Sequence, residues 1–195
     1  ARVKVRFAGQ DVDGFVLERC AHTDHDGRLT PLRRVVSAEP VLSPAIAALA
    51  GELAARYAGT RSDVLRLAIP SRHATTEKKP SPPAPAPPAY DAGAAEAAWA
   101  GHEPATAYLR HLAEGSSPRA VWTAAPATDW PRLLAHAAAA TRASGRGVLV
   151  CVPDGKDVAR VDEALAAVLG PDQHVTLVAD SGPARRYADF LAVSR

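Results

Sequence analysis

A chain of 195 residues with 47% hydrophobic content can build one ordinary domain or two small ones around real cores, which excludes disorder throughout. The net charge of +2 hides an asymmetry, since residues 1–74 carry eleven Lys and Arg against eight Asp and Glu, and the remainder twelve against thirteen. That front bias favours nucleic acid over a neutral small ligand only weakly, so the arrangement of the charges has to carry the argument. No run approaches the roughly 18 apolar residues of a membrane span, and Ala1-Arg2-Val3-Lys4 has no signal-peptide core, so a cytoplasmic protein is expected. Cys20 and Cys151 form neither a disulfide framework nor a zinc pattern and are expected as buried small hydrophobes.

The first strand, Arg2-Val3-Lys4-Val5-Arg6-Phe7, alternates basic and apolar residues with period two. One face is therefore buried, while Arg2, Lys4 and Arg6 line the other as a phosphate-seeking surface. A turn over residues 8–11 leads to a second strand at 14–19, a polar loop at 21–28 and a third strand at 32–37. Ser43 and Pro44 start a helix to about Tyr57, whose stripe of Ile46, Leu49, Leu53 and Tyr57 faces a small sheet. Residues 63–69 form a short helix or turn closed by Pro70. With the arginine pair Arg33-Arg34, residues 2–70 read as a nucleic-acid-end binder. Pro80, Pro82, Pro83, Pro85, Pro87 and Pro88 then mark an extended linker over residues 75–93, a plain tether or alternatively a docking motif. Beyond it the order is helix 94–114, strand 119–123, helix 130–143, strand 147–152, helix 158–169, strand 174–178 and helix 183–193, the alternation of a doubly wound α/β lobe.

The order of Arg2 to Phe7, Gly14-Phe15-Val16, Leu32-Arg33-Arg34-Val35-Val36, Tyr57, Asp63-Val64-Leu65 and Ile69-Pro70 resembles the front domain of primosomal protein N′, the PriA replication-restart helicase family. Past the linker, residues 148–154 are similar to the strand and Val-Pro-Glu segment of that family's first helicase lobe, with Asp154 for Glu. Residues 178–191, with Ser181-Gly182 and Arg185-Arg186, are similar to its next strand and helix. Abundant alanine and the excess of Arg over Lys suggest a GC-rich bacterial branch. The resemblance implies a small β-barrel-like domain binding DNA 3′ ends over residues 1–74, the Pro-rich linker over 75–93, and part of a RecA-like lobe over 94–195, α+β followed by α/β. It further implies forked DNA with a nascent 3′ end as partner, and single-strand-binding and other primosome proteins besides. The family's zinc-binding cysteines would lie beyond Arg195, so no metal or other cofactor is expected in this chain. Its winged-helix domain has no room between Ala74 and Ser117. By the same resemblance the 3′-end pocket maps onto Ala8-Gly9 and Arg33, where the family has Lys, and its aromatic-acidic segment would precede Ala1. The physics agrees, because a turn with Gly9 lets backbone amides approach a nucleotide and the Arg33 guanidinium offers paired donors to a phosphate. Contacts to DNA are thus expected from Arg2, Lys4, Arg6, Phe7, Ala8, Gly9, Arg33 and Arg34. For Arg33 and Arg34 a solvated strand face is the alternative. Tyr57 either packs in the core or stacks on a base.

A nucleotide-driven lobe should follow its first strand with a glycine-rich loop ending in Gly-Lys-Ser or Gly-Lys-Thr. Here stands Ala124-Ala125-Pro126-Ala127-Thr128-Asp129-Trp130-Pro131. Alignment puts Trp130 at the lysine and Pro131 at the hydroxyl, the prolines remove amide donors, and Asp129 adds a negative charge. A degenerate, pseudo-helicase nucleotide loop is the expectation. The alternatives are an active 3′-5′ helicase with an unusual nucleotide site and a non-enzymatic scaffold for an acidic protein surface. His22-Thr23-Asp24-His25-Asp26-Gly27 resembles a metal loop and reads equally as a polar hairpin. Gly145-Arg146-Gly147 precedes a strand rather than following one, which suits a helix stop and not a dinucleotide fingerprint.

Overall fold

The computed structural model of the chain describes residues 1–81, 83, 85–86 and 89–195. Among them run three strands, β1 (Arg2–Phe7), β2 (Gln10–Phe15) and β3 (Arg34–Ser37). Eight helices follow: α1 (Pro44–Arg56), α2 (Arg61–Ala68), α3 (Ala74–Glu77), α4 (Ala92–Ala98), α5 (Ala105–Ala113), α6 (Trp130–Ala143), α7 (Gly155–Leu169) and α8 (Pro183–Ser194). The fold is mixed α+β. It divides into two units, Ala1–Lys79 with Gly182–Arg195, and Pro80–Ser181. No helix of the described residues is long and apolar enough to cross a membrane. Pro82, Pro87 and Pro88 of the expected linker lie outside the described residues.

In the first unit β1 is the middle strand of an antiparallel sheet ordered β2-β1-β3. Ala8 and Gly9 close the β1–β2 hairpin with φ of 46° and 80°, the left-handed pair that a two-residue turn requires. Because that turn is so tight, β2 begins at Gln10 and not at Gly14. Asp11 and Asp13 look like turn residues by composition, but they alternate with Val12 inside the strand. Among the described residues the sheet stays open instead of closing into the expected barrel, since β2 and β3 each have β1 as their one neighbour.

Ser43 caps α1 as expected, its hydroxyl accepting from the Ile46 N–H at 3.2 Å with Pro44 in the first position. The inward face of α1 differs from the expected one. Ala50 enters the core with Val41, Leu65 and Ile69, backed by Phe15, Leu42, Val64 and Phe190. Ile46 and Leu49 are exposed, and Tyr57 is 74% exposed, so Tyr57 does not pack in the core. Two stripes with helical spacing exist on α1, and the small one allows close approach to α2. Size and hydrophobicity alone pointed to the other.

Two further segments join this unit against expectation. The start of the supposed linker folds into α3, and α8, assigned by sequence to the second segment, belongs here. Their meeting point is polar. Glu77 accepts from Arg72 at 2.7 and 2.9 Å and from the Tyr187 hydroxyl at 2.5 Å, with Tyr187 fully buried and the Glu77 side chain 10% exposed. Burial alone would push the Glu77 carboxyl up, yet hydrogen bonds from Arg72, Tyr187 and Ser37, with the Arg72 charge, hold it down at about 2. Burial and the Glu77 carboxylate together push the Tyr187 hydroxyl up to about 12. The contribution of Glu77 is present above its ordinary 4.5 and is lost as pH falls through about 2. Glu77→Gln is expected to cost about 3 kcal/mol near neutral pH, an order-of-magnitude figure, and to flatten the acid limb of stability between those two pH values. Urea unfolding across a pH series measures both.

In the second unit the expected helix over 94–114 is two helices, because Gly101 takes φ 85° and Pro104 offers no N–H to continue one. By contrast α6 has the expected bounds, stopping at Ser144 with Gly145 at φ 77°. It is the central helix, burying Leu133, Ala135, His136, Ala137, Ala138 and Ala140 against α4, α5 and α7. The alanines let neighbours approach closely, and Trp99, Leu109 and Ala95 complete the core. The Trp99 indole N–H donates to the Leu133 carbonyl at 3.0 Å.

The segments 119–123, 147–152 and 174–178 do not pair into a sheet. Val121, Leu149 and Leu177 are exposed there, although their apolar run suggested strands buried on both faces. A run of β-formers reports side-chain preference, whereas a strand needs a neighbour for its backbone groups. Cys151 lies in one of these segments and Cys20 in the loop after β2, so both thiols are exposed and not buried. Leu109, 1% exposed, should carry much of this unit's stability. Leu109→Ala is expected to lower it by about 2–5 kcal/mol, read from the urea midpoint of the Trp fluorescence.

Candidate nucleic-acid interface

The period-two alternation of β1 and the hairpin register together lay out one charged face. Arg6 stands opposite Asp11, Lys4 opposite Asp13 and Arg2 opposite Phe15, while β3 places Arg34 opposite Lys4 on the other side. Directly opposed residues share a face, so cations and carboxylates alternate across the sheet. Lys4 Nζ lies 3.2 Å from Asp13 Oδ1, and Arg6 Nη1 3.4 Å from Asp11 Oδ1. Arg33, just before β3, brings its Nε to 3.5 Å from that same Asp11 oxygen. Its own N–H donates to the Lys4 carbonyl at 2.9 Å, which pins it beside β1. Among the described residues Arg34 has no ion-pair partner, and its side chain is exposed.

Arg6 and Arg33 line an open cleft of about 530 Å³ with Thr30, Pro31 and Leu32. Phe7 is 70% exposed at the end of β1, next to the Ala8-Gly9 turn, and space around Gly9 is open. Of the eight residues expected to contact DNA, Lys4, Arg6, Phe7, Ala8, Gly9, Arg33 and Arg34 therefore lie on or beside the accessible end of the sheet. Arg2 does not. Its Nη2 donates to the Pro70 carbonyl at 2.7 Å, and its guanidinium lies 5.1 Å from the Phe15 ring and 5.8 Å from that of Tyr187. The register shift between Arg2 and Val3 marks where the row is interrupted. Alternation placed the cations of the strand on one face, but on the other face Val3 is buried while Phe7 is exposed, and it could not reveal that the first residue abuts α8. The carboxylates of β2 and the Thr30–Pro31–Leu32 wall of the cleft escaped the sequence reading. A two-residue turn at Ala8-Gly9, had it been assumed, would have paired Arg6 with Asp11 at once.

The expected degenerate nucleotide loop leads into α6 in the second unit. Ala124 is exposed, and Asp129 is the N-cap, its carboxylate accepting from the Arg132 N–H at 3.5 Å. Trp130 carries the Arg160 guanidinium 5.0 Å from its ring, and Pro131 is buried. A cleft of about 690 Å³ runs past α6 and α7, lined among others by Tyr90, Arg132, His136, Arg160 and Glu163. Burial pushes the His136 imidazole down, Arg132 adds to this, and Asp91 opposes it. The helix stop at Gly145 is braced by Arg146, whose Nη1 donates to the Gly115 and Ser116 carbonyls at 2.9 Å. His22, Asp24, His25 and Asp26 are exposed, and among the described residues no group of three such side chains is placed to hold a metal ion.

Residues 1–70 match the PriA 3′ DNA-binding domain (3′BD) family. Over 198 residues the chain is 46% identical to proteins described as probable replication restart protein PriA from Mycobacterium tuberculosis and Mycobacterium bovis, covering 100% of this chain and 29% of each relative. It is 42% identical over 201 residues to the same protein of Mycobacterium leprae, covering 30% of that relative. No solved structure matches the chain. The chain thus spans less than a third of the length of these relatives. The family match identifies residues 1–70 as a PriA 3′ DNA-binding domain, and similarity to the PriA relatives runs along the whole sequence.

Proposed function

We propose that the chain is a DNA-binding part of a replication-restart protein, and that its first unit captures the nascent 3′ end at a stalled, forked DNA. The observation that carries this reading is the cleft flanked by Arg6 and Arg33 inside the matched residues 1–70. Two guanidinium groups there can grip a terminal phosphodiester with charge-assisted hydrogen bonds, and Lys4 and Arg34 extend the cationic track along the neighbouring backbone. Phe7 offers an aromatic face for a base at the strand end, and Ala8-Gly9 presents backbone without bulk. Arg2 is left out of the contact set in this reading and serves the fold. The site acts in the cytoplasm, with single-strand-binding and other primosome proteins as partners of the assembled machinery.

The second unit is read as a RecA-like lobe whose nucleotide loop no longer works, so that DNA binding and not ATP hydrolysis is the contribution of this chain. The residues at the start of α6 do not fit a triphosphate. A carboxylate, Asp129, takes the helix N-terminus where a phosphate would bind, and Pro131 supplies no amide donor. Trp130 under Arg160 supplies no ammonium group.

Fluorescence anisotropy at moderate salt tests the first part, comparing a fork with a free 3′-OH leading arm to one blocked by a 3′-phosphate. A several-fold preference for the free 3′-OH is expected, and its loss in Arg33→Ala. Equal affinity for both forks, unmoved by that substitution, leaves a generic electrostatic or scaffolding module. For the second part, a fluorescent ATP analogue with magnesium is expected to show no saturable binding at micromolar concentrations. Saturable binding would instead restore the reading of an active helicase with an unusual nucleotide site.

A further inference from the structure

The phosphate-facing side of the sheet carries its own anion. One Asp11 oxygen lies 3.4 Å from Arg6 Nη1 and 3.5 Å from Arg33 Nε, so the two guanidinium groups of the cleft share a single carboxylate. Asp11 is held there by the strand register opposite Arg6 and not by burial, for its side chain is 37% exposed. Such exposed pairs are weak, of the order of 1 kcal/mol or less each, and can be exchanged for another anion. The exchange has a geometric reason, since Arg33 cannot present its Nε to a phosphate in a two-donor fork while that N–H faces Asp11.

We infer that Asp11 is the affinity-setting residue of this site, an internal counter-ion for Arg6 and Arg33 that a DNA phosphate must displace. The inference rests on the 3′-end-binding reading above. It has a signature beyond affinity. When a guanidinium neutralises a phosphate, a cation condensed on the DNA is released. If Asp11 is freed in the same step, it takes up a cation from solution, and the net release falls by up to one. The wild-type chain should therefore show a shallower dependence of binding on salt than a chain without the carboxylate. Glu52, exposed on α1 and outside both the cleft and the expected DNA contacts, provides the comparison.

The test uses the full chain and a forked DNA with a free 3′-OH leading arm, titrated between about 50 and 200 mM NaCl. Asp11→Asn is expected to bind roughly three- to tenfold more tightly at the low-salt end, with the slope of log K against log salt steeper by about one. Asp11→Glu should keep the wild-type slope, and circular dichroism melts confirm that each variant is folded. An unchanged slope and affinity in Asp11→Asn, or weaker binding, overturns the inference. So does an equal gain from Glu52→Gln, which would reduce the effect to net charge. If neither wild type nor any variant binds the fork, the 3′-end reading fails and takes the inference with it, whereas wild-type binding with an inert Asp11→Asn overturns the inference alone.

Discussion

The first unit depends on the buried meeting of Arg72, Glu77 and Tyr187. Tyr187 comes from a chain position more than a hundred residues beyond Arg72 and Glu77, and each group would be costly to bury alone. Together they satisfy one another: the carboxylate receives two donors from Arg72 and one from Tyr187, and the tyrosine ring in turn lies beside the Arg2 guanidinium. The network fastens α3 and α8 to the beginning of β1. Arg195 strengthens the same corner, its guanidinium meeting Glu39 at 2.8 Å and donating to the Glu77 and Lys79 carbonyls at 3.0 Å. A polar network of this kind specifies one arrangement, because a half-satisfied version is worse than none.

With its first residue anchored, β1 can present the remainder of its polar face to solvent. The tight hairpin then determines what that face looks like, for a two-residue turn admits one register and puts a carboxylate opposite Lys4 and Arg6. The basic character visible in the strand is thereby tempered in the folded sheet. Cations that are already paired discriminate between anions better than free ones do, since only a ligand offering better geometry repays the exchange.

The second unit is organised around α6. Its alanine-rich flanks let three other helices pack closely, and its first turn is closed by its own sequence through the Asp129 cap and Pro131. A helix start completed internally has less need of an external anion. Asp129 and Pro131 thus give the helix a sound beginning.

Local signals in the sequence determined much of this protein. Ser43-Pro44, Ser144-Gly145 and the Trp130-Pro131 start mark helix ends, and all three coincide with observed boundaries, because caps act through neighbouring backbone groups. Period two likewise identified the charged face of β1, and the order of motifs over residues 1–70 pointed to the family later matched. Partner-dependent features were not legible. Whether Arg2 faces DNA or Pro70, whether Tyr57 is inside or outside, and whether apolar runs such as 147–152 find a strand to pair with are decided by what lies across the fold. The placement of α8 beside α3, and the sharing of Asp11 between Arg6 and Arg33, belong to that second class. A residue's neighbours along the chain determine its local conformation, but burial and pairing depend on residues far away in sequence, and only the tertiary structure brings those together.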